Sequence, residues 1–338
     1  MESFHEFTWR KAGIHEAILN STYNIQKNSD LILGVAERWC PETKSFIFTW
    51  GEATITLEDL LISGYSVLGC PVSNPLETEE FMETKEKLIQ ARRELVRTPA
   101  KKASQHQWLN KFIDSGGELE HEAFLSLWLS RFVLPVSHDV ISECVFSVAI
   151  HLARGTRIAL APAVLASIYR DLTLLRKKIA ALSVISSNED TEELEVAVTI
   201  WSPFQLVQVW IWERFMKLQP KPNLMSNGEP RLALWNNLIS SKFDNLRLVL
   251  DSSKESFAWR PYTKPVKNWE FPKFYREEEM WVSMNSCLDE ELESFIRCLR
   301  VSELVGMGVD CIEQYLPHRV ARQLGFDQDI PDFVARSE

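Results

Sequence analysis

Apolar residues recur every three to four positions through most of this chain, which is the period of a helix with one buried face. After Pro162, for example, Val164, Ile168, Leu172 and Leu175 follow this spacing. The pattern predicts a mainly α fold with a small β component, arranged as one compact helical domain or as two packed lobes. The predicted helices cover roughly residues 11–26, 57–63, 77–97, 104–114, 119–133, 138–154, 162–182, 203–217, 289–299 and 315–325.

The segment near residues 46–56 departs from the helical period. Short runs of aromatic and β-branched residues flank Gly51-Glu52, which predicts a small β-hairpin. Thr56 can cap the helix that follows, because Asp59 stands three residues later and is favourable in a first turn. A further short strand is expected near Trp281-Val282.

Three of the predicted helices are apolar enough to form the core. They are the segments at about 138–154, 162–182 and 203–217, and the last is apolar nearly all round, which implies burial on most sides. We therefore expect Val145, Ile168 and Trp210 to be largely buried. The chain has 12 tryptophans, which also favours a large core, since each Trp buries a wide area.

The predicted helix at 77–97 has a narrow apolar stripe, in which Phe81, Leu88 and Leu95 recur every seven residues. Glutamates crowd its start and arginines crowd its end, an arrangement that offsets the helix dipole. Such a stripe either packs onto the rest of the domain or is shared with a helix of a partner protein. Phe81, Leu88 and Leu95 are the candidate partner surface.

The formal net charge of −10 argues against a general nucleic-acid-binding role, because phosphate contacts need a basic face. A local basic patch could still contact nucleic acid. The candidate residues for that alternative are Arg92, Arg93, Lys101 and Lys102, which lie close together in the sequence.

The sequence has no motif that indicates a catalytic or cofactor site. Gly306-Met-Gly308 fails the dinucleotide fingerprint, and no phosphate-binding loop occurs. His121-Glu122 begins a zinc-protease pattern, but Leu125 stands where the second histidine is required. Cys144 and His151 would lie about 10 Å apart on one helix, too far for proton transfer. We therefore expect no cofactor, no metal and no enzymatic activity.

Several arginines stand in apolar surroundings and need a partner, since an unpaired buried charge is costly. Because Arg170 and Asp171 are adjacent on a predicted helix, we expect them to point apart and to pair elsewhere. A structural network is the favoured interpretation over a ligand site. Its candidate members are Arg38, Arg154, Arg157, Arg170 and Asp171.

The six cysteines are scattered, and none forms a Cys-x-x-Cys pair, which indicates reduced thiols in an intracellular protein. The first residues lack the basic-then-apolar pattern of a signal peptide. No apolar run approaches the length of about 20 residues that spans a membrane. We therefore expect a soluble protein with no membrane association.

Several longer sequence motifs resemble those of a known protein family. They include Glu37-Arg-Trp-Cys-Pro-Glu42, residues 46–60, and the run from His151 through Gly155 and Pro162 to Leu172. Further matches are Phe124 to Phe132, Trp201 to Gln205, Trp212-Glu-Arg-Phe215, Tyr315 to Val320 and Gly325 to Pro331. Together they resemble the plant mobile domain of the MAIN-like (maintenance-of-meristems-like) proteins, which also occurs in plant transposable elements.

The resemblance covers residues 9–333, with a candidate internal boundary near 219–230 and a short tail at 334–338. It implies a non-enzymatic nuclear interaction module with a role in transposon and gene silencing, genome integrity and meristem maintenance. It also implies a protein partner, for which a phosphatase-7-like serine/threonine phosphatase is the candidate. The alternative is a transposon-derived protein that contacts nucleic acid through a degenerate nuclease-like site. The family is sometimes labelled aminotransferase-like, but no lysine here stands in a pyridoxal-phosphate context.

Overall fold

A computed structural model describes residues 2–73, 78–98, 101–113, 116–185, 199–239, 243–270, 290–307 and 311–331. The fold is mainly helical, as predicted. The α-helices are α1 (Glu2–Ala12), α2 (His15–Asn20), α3 (Ser29–Ala36), α4 (Leu57–Ile62), α5 (Glu79–Val96), α6 (Gln105–Phe112), α7 (Glu120–Trp128), α8 (Phe146–Ala153), α9 (Leu160–Ile185), α10 (Gln205–Arg214), α11 (Leu246–Asp251) and α12 (Glu290–Cys298). Short 3-10 segments cover Glu143–Val145, Arg231–Trp235, Lys254–Ser256, Pro261–Thr263 and Pro317–Leu324.

Two small antiparallel sheets complete the described fold. The first has the order β1 (Trp39–Cys40), β2 (Ser45–Phe48) and β3 (Gly51–Ala53), so the predicted hairpin is confirmed and gains a third, two-residue strand. The second sheet pairs β4 (Ser302–Val305) with β5 (Ile312–Tyr315) and was not predicted. The strand predicted near Trp281 lies outside the described residues.

Helices α8, α9 and α10 supply much of the core, as the apolar pattern predicts. Val145, Ile168 and Trp210 are no more than 1% exposed. The 26-residue helix α9 is central, because it contacts α3, α4 and both sheets. Trp210 packs its ring against Phe46 of β2 at a centroid distance of 5.1 Å, which joins α10 to the first sheet.

Helix α4 begins at a capping box and ends at a glycine. The backbone N–H of Thr56 donates to Asp59 Oδ2 at 2.8 Å, so the predicted cap is confirmed. Gly64 has φ of 84° after the last turn, and an added Cβ would lie 2.5 Å from the backbone nitrogen of Ala17. Only glycine fits this close approach between α4 and α2.

Three predicted helices were wrong in extent or type. The one predicted over 315–325 is the 3-10 segment Pro317–Leu324, because Tyr315 belongs to β5. The helix predicted over 138–154 starts only at Phe146, because Ile141 donates its N–H to Ala103 O, which draws the preceding segment away. The helix predicted over 11–26 is instead the separate helices α1 and α2, broken at Gly13, which has φ of 70°. The helix predicted over 119–133 is confirmed, and its last five residues, Leu129–Val133, form a π-helical turn.

The predicted internal boundary near 219–230 stays a prediction, although residues on its two sides are in contact. Trp212 and Trp235 pack with ring centroids 5.7 Å apart. Asn237 also donates its N–H to Asn24 O near the start of the chain. Among the described residues, no helix is both long and apolar enough to cross a membrane.

Candidate functional site

A buried charge network joins α4 to α10 and to the segment after residue 260. Asp59 Oδ1 lies 2.8 Å from Arg214 Nη1 and accepts a hydrogen bond of 2.6 Å from the Tyr262 hydroxyl. Arg214 is fully buried and stacks over the Trp210 ring at 5.5 Å. A charge this deep needs its partner, because removing one member leaves the other uncompensated. We therefore assign this network a structural role, in which each buried charge compensates the other.

A second buried pair continues the network. Arg231 donates to both carboxylate oxygens of Glu213, at 2.9 and 2.8 Å, and the Trp235 indole N–H donates to the same carboxylate at 3.0 Å. The Arg231 guanidinium also covers the rings of Tyr262 and Trp269. Bidentate geometry and full hydrogen bonding of Glu213 favour the pair despite its burial.

Glu58 stands beside this network without a matching cation. Burial raises the pKa of its carboxyl to about 8, the nearby Asp59 charge acts in the same direction, and Arg214 and Arg260 only partly offset them. Its Oε1 makes no hydrogen bond among the described residues. Glu58 is therefore largely protonated at neutral pH. Its side chain is buried, with 1% of its surface exposed.

The predicted arginine network is not one cluster. Arg38 pairs with Asp251 at 2.7 Å, Arg154 with Glu80 at 3.1 Å, and Arg157 with Glu290 at 2.5 Å. Each of these three arginines thus pairs with a different carboxylate. The sequence analysis did not predict the buried ion pairs of Asp59 with Arg214 and of Glu213 with Arg231. The available signal was two charged residues, Glu213 and Arg214, inside an apolar helix.

The expectation that Arg170 and Asp171 point apart was wrong. Arg170 Nε donates to Asp171 Oδ1 at 3.0 Å, because the long arginine chain folds back along the helix surface. The other oxygen of Asp171 accepts the backbone N–H groups of Trp201 and Ser202, at 3.0 and 2.9 Å. Asp171 thus fixes the segment that leads into α10.

The apolar stripe of α5 packs inward. Phe81 is 2% exposed and Leu88 is fully buried, while Leu95 is partly buried against the same core. The Phe81 ring contacts the His151 ring at 4.3 Å, and Arg154 lies over its face. The interpretation of Phe81, Leu88 and Leu95 as a partner surface was wrong, because this stripe of α5 faces the chain's own core and α5 packs against α8.

The candidate nucleic-acid patch is largely neutralised by carboxylates. Arg92 pairs with Glu143 at 2.6 Å, Arg93 with Glu86 at 3.2 Å, and Lys102 with Asp139 at 3.2 Å. Lys101 is exposed in a left-handed backbone conformation, with φ of 51°. Paired cations lose part of their attraction for phosphate, so these four residues do not form an open basic groove.

A cleft of about 990 Å³ opens between two parts of the described chain. One wall is the segment 67–72 with the start of α9, and the other is α12 with β4. We call this opening the α12–β4 cleft. Its apolar lining includes Leu57, Val67, Val72, Pro162, Val301, Leu304 and Val305.

Backbone hydrogen bonds hold the first wall of the α12–β4 cleft. Cys70 donates its N–H to Arg157 O at 3.0 Å and accepts from Ala159 N–H at 2.9 Å. Gly69 allows this approach, because an added Cβ would lie 2.5 Å from Arg157 O. Ala161 N–H donates to Ser66 O at 3.0 Å, so this N–H at the start of α9 is already bonded. These bonds fix the first wall of the cleft, and they leave the Ala161 N–H unavailable for an anion.

The residues required for metal binding do not converge in the described structure. No group of three or more His, Cys, Asp or Glu side chains there could hold a metal ion. His121 instead accepts a hydrogen bond of 2.9 Å from the Trp9 indole N–H through Nε2, and its ring stacks on His5 at 3.7 Å. Burial lowers the pKa of His121 to about 4, which keeps it a neutral acceptor.

The described fold is helical, and sequence comparison gives its family. The family model described as plant mobile domain matches residues 13–338, so the chain belongs to the plant mobile domain family. The expected resemblance is thus confirmed. No solved structure matches the chain.

One relative is a protein of Arabidopsis thaliana named serine/threonine-protein phosphatase 7 long form homolog. It is 25% identical over 345 residues, which cover 91% of this chain and 22% of the relative. The chain therefore spans about a fifth of that protein's length.

Proposed function

We propose that this chain is a non-enzymatic protein-interaction module, and that the α12–β4 cleft holds part of the partner. The observation that carries the proposal is the cleft itself. Its volume of about 990 Å³ lies at the upper end of the range of roughly 300–1,000 Å³ found for ligand pockets. An apolar floor with a charged rim is typical of a protein interface, where apolar contacts give affinity and the rim gives specificity.

We further propose a nuclear role in transposon and gene silencing, genome integrity and meristem maintenance. Membership of the plant mobile domain family supports this role. The relative named for phosphatase 7 makes a phosphatase-7-like serine/threonine phosphatase the first partner to test.

The test compares two exposed valines, one in the cleft and one outside it. Val305 lines the cleft and is 39% exposed, whereas Val136 is 44% exposed and does not line it. Val305→Asp places a charge on the apolar wall and should abolish capture of a purified phosphatase-7-like protein, and of partners from plant nuclear extract. Val136→Asp should retain capture.

Equal capture by both variants would refute the cleft as the partner site. Tight, salt-sensitive DNA or RNA binding would instead support the alternative function, provided that it is lost when Arg92, Arg93, Lys101 and Lys102 are replaced. Turnover of a phosphoester or an amino-acid substrate by the pure chain would refute the non-enzymatic assignment.

A further inference from the structure

We propose that the α12–β4 cleft selects an acidic peptide segment, in which an aliphatic side chain is flanked by Asp or Glu. This inference rests on the proposed function and specifies the chemistry of the partner. Three features of the cleft carry it: the balance of charge on the rim, the pairing of those charges, and the shape of the apolar wall.

The rim carries more positive than negative charge, although the chain as a whole has a net charge of −10. Among the described residues, four cations and three carboxylates line the cleft, an excess of one positive charge. The cations are Lys11, Arg157, Arg297 and Arg300, and the carboxylates are Glu290, Glu293 and Glu303. The cleft therefore attracts negative groups in a protein whose overall charge repels them.

The pairing of these charges leaves two cations available. Arg157 bonds to Glu290 at 2.5 Å, and Arg297 lies 3.5 Å from Glu293. Lys11 and Arg300 are exposed, and neither has a carboxylate partner in the described parts of the chain. A carboxylate of a bound peptide can pair with either cation without breaking an existing ion pair.

The apolar wall accepts an aliphatic side chain. Leu57, Val67, Val72 and Leu304 line the cleft and are no more than 5% exposed, so they form its apolar base. Val301 and Val305 are 44% and 39% exposed, and both line the cleft. Covering them with an aliphatic side chain removes apolar surface from water.

The cleft offers both apolar and cationic surface, and this combination fits a short peptide better than a small metabolite. Aliphatic surface lies on the floor and on β4, while the available ammonium and guanidinium groups lie on the rim. A peptide can present an aliphatic side chain to the first and carboxylates to the second at the same time. Recognition of acidic segments by basic side chains is a recurrent binding mode.

The test uses fluorescence polarisation with three labelled eight-residue peptides and the full chain. The acidic probe is Glu-Asp-Leu-Glu-Val-Leu-Glu-Asp. The neutral probe has Gln and Asn in place of Glu and Asp, and the basic probe has Lys at the same positions. The acidic probe should bind at least about tenfold more tightly than the neutral one at low salt, and added NaCl should reduce this difference.

Charge reversals inside and outside the cleft test whether the preference for the acidic probe arises in the cleft. Arg300→Glu should weaken acidic-probe binding about tenfold and change neutral-probe binding little, whereas Arg300→Lys should retain most of it. Lys27→Glu makes the same change in net charge at an exposed residue that does not line the cleft, and it should have little effect. Circular dichroism of each variant establishes that the fold is intact.

Three results would overturn the proposal in distinguishable ways. If both the acidic and the neutral probe bind equally and Val305→Asp abolishes both, the cleft binds peptides without acidic selectivity, and the proposed function survives. If Arg300→Glu and Lys27→Glu weaken the acidic probe equally, the preference comes from overall charge and not from the cleft. If no probe binds, the acidic-peptide proposal fails, and capture by Val305→Asp and Val136→Asp still decides the proposed function.

Discussion

The side-chain amide of Gln323 forms two hydrogen bonds with the backbone of Thr54. Gln323 Oε1 accepts the Thr54 N–H at 2.8 Å, and Nε2 donates to the Thr54 carbonyl at 2.9 Å. Both residues are buried. Nearby, Arg319 forms a bidentate pair with Glu52 on β3, at 3.0 and 2.6 Å. The C-terminal 3-10 segment thus covers the outer edge of the first sheet, where unpaired backbone groups would otherwise be exposed.

Replacing Gln323 with Ala should lower the free energy of unfolding by about 2–3 kcal/mol, because it leaves two buried backbone groups of Thr54 unbonded. Urea denaturation measures the loss. Gln328→Ala is the control, since Gln328 is exposed and should change stability by less than about 0.5 kcal/mol. Equal stability of the two variants would contradict the role given to Gln323.

Replacing Trp210 with Ala should cost on the order of 3–5 kcal/mol, because Trp210 is 1% exposed and its removal leaves a large cavity against Phe46. Leu248→Ala is the comparison, since Leu248 is 63% exposed and loses little buried area. Chemical denaturation that finds Trp210→Ala close to the parent protein would show that the core lies elsewhere.

Breaking the Asp59–Arg214 pair should cost about 3–5 kcal/mol, because either single replacement leaves a buried charge without its partner. Asp59→Asn and Arg214→Met are the single variants. The double variant should be less destabilised than the sum of the two, and a double-mutant cycle measures this difference. Strict additivity would mean that the two side chains do not interact.

Glu58 should make stability depend on pH. Its folded pKa of about 8 lies above its ordinary value of 4.5, so the native state favours the protonated carboxyl. The associated stability is fully present below pH 4.5 and is lost as pH rises through 8. Glu58→Gln keeps the neutral form, and its advantage over the parent should grow by a few kcal/mol between these limits.

Urea unfolding at pH 5 and pH 8.5 would measure this dependence on Glu58. Glu79→Gln is the control, because Glu79 is exposed and its variant should follow the parent at both pH values. A constant difference between Glu58→Gln and the parent would show that Glu58 has no raised pKa.

Local patterns were predictable because they depend on neighbours in the sequence. Thr56 and Asp59 are three residues apart, and the capping box that they form followed from spacing alone. The buried positions of Ile168 and Trp210 followed from helical periodicity. The same reasoning failed for Arg170 and Asp171, since spacing along a helix does not show how far a flexible arginine folds back.

The network and the cleft depend on contacts between distant segments. Asp59 and Arg214 meet only after folding, and no local signal indicated that the capping residue would also bind an arginine. The cleft combines α1, the 67–72 segment, α9, α12 and β4. The stripe on α5 shows the same limit, because Phe81 and Leu88 indicate an apolar face but not which surface covers it.

Helix α4 links the α12–β4 cleft to the buried ion pair of Asp59 and Arg214. Leu57 at its start borders the α12–β4 cleft, while Asp59 is tied to Arg214 in the interior. Any widening of the cleft at Leu57 would therefore pull on a desolvated ion pair. Under the proposed function, a partner should therefore meet a cleft that resists movement at α4 and should lose little affinity to reorganisation of the chain. Differences in affinity between competing segments would then arise mainly from how long each one stays bound.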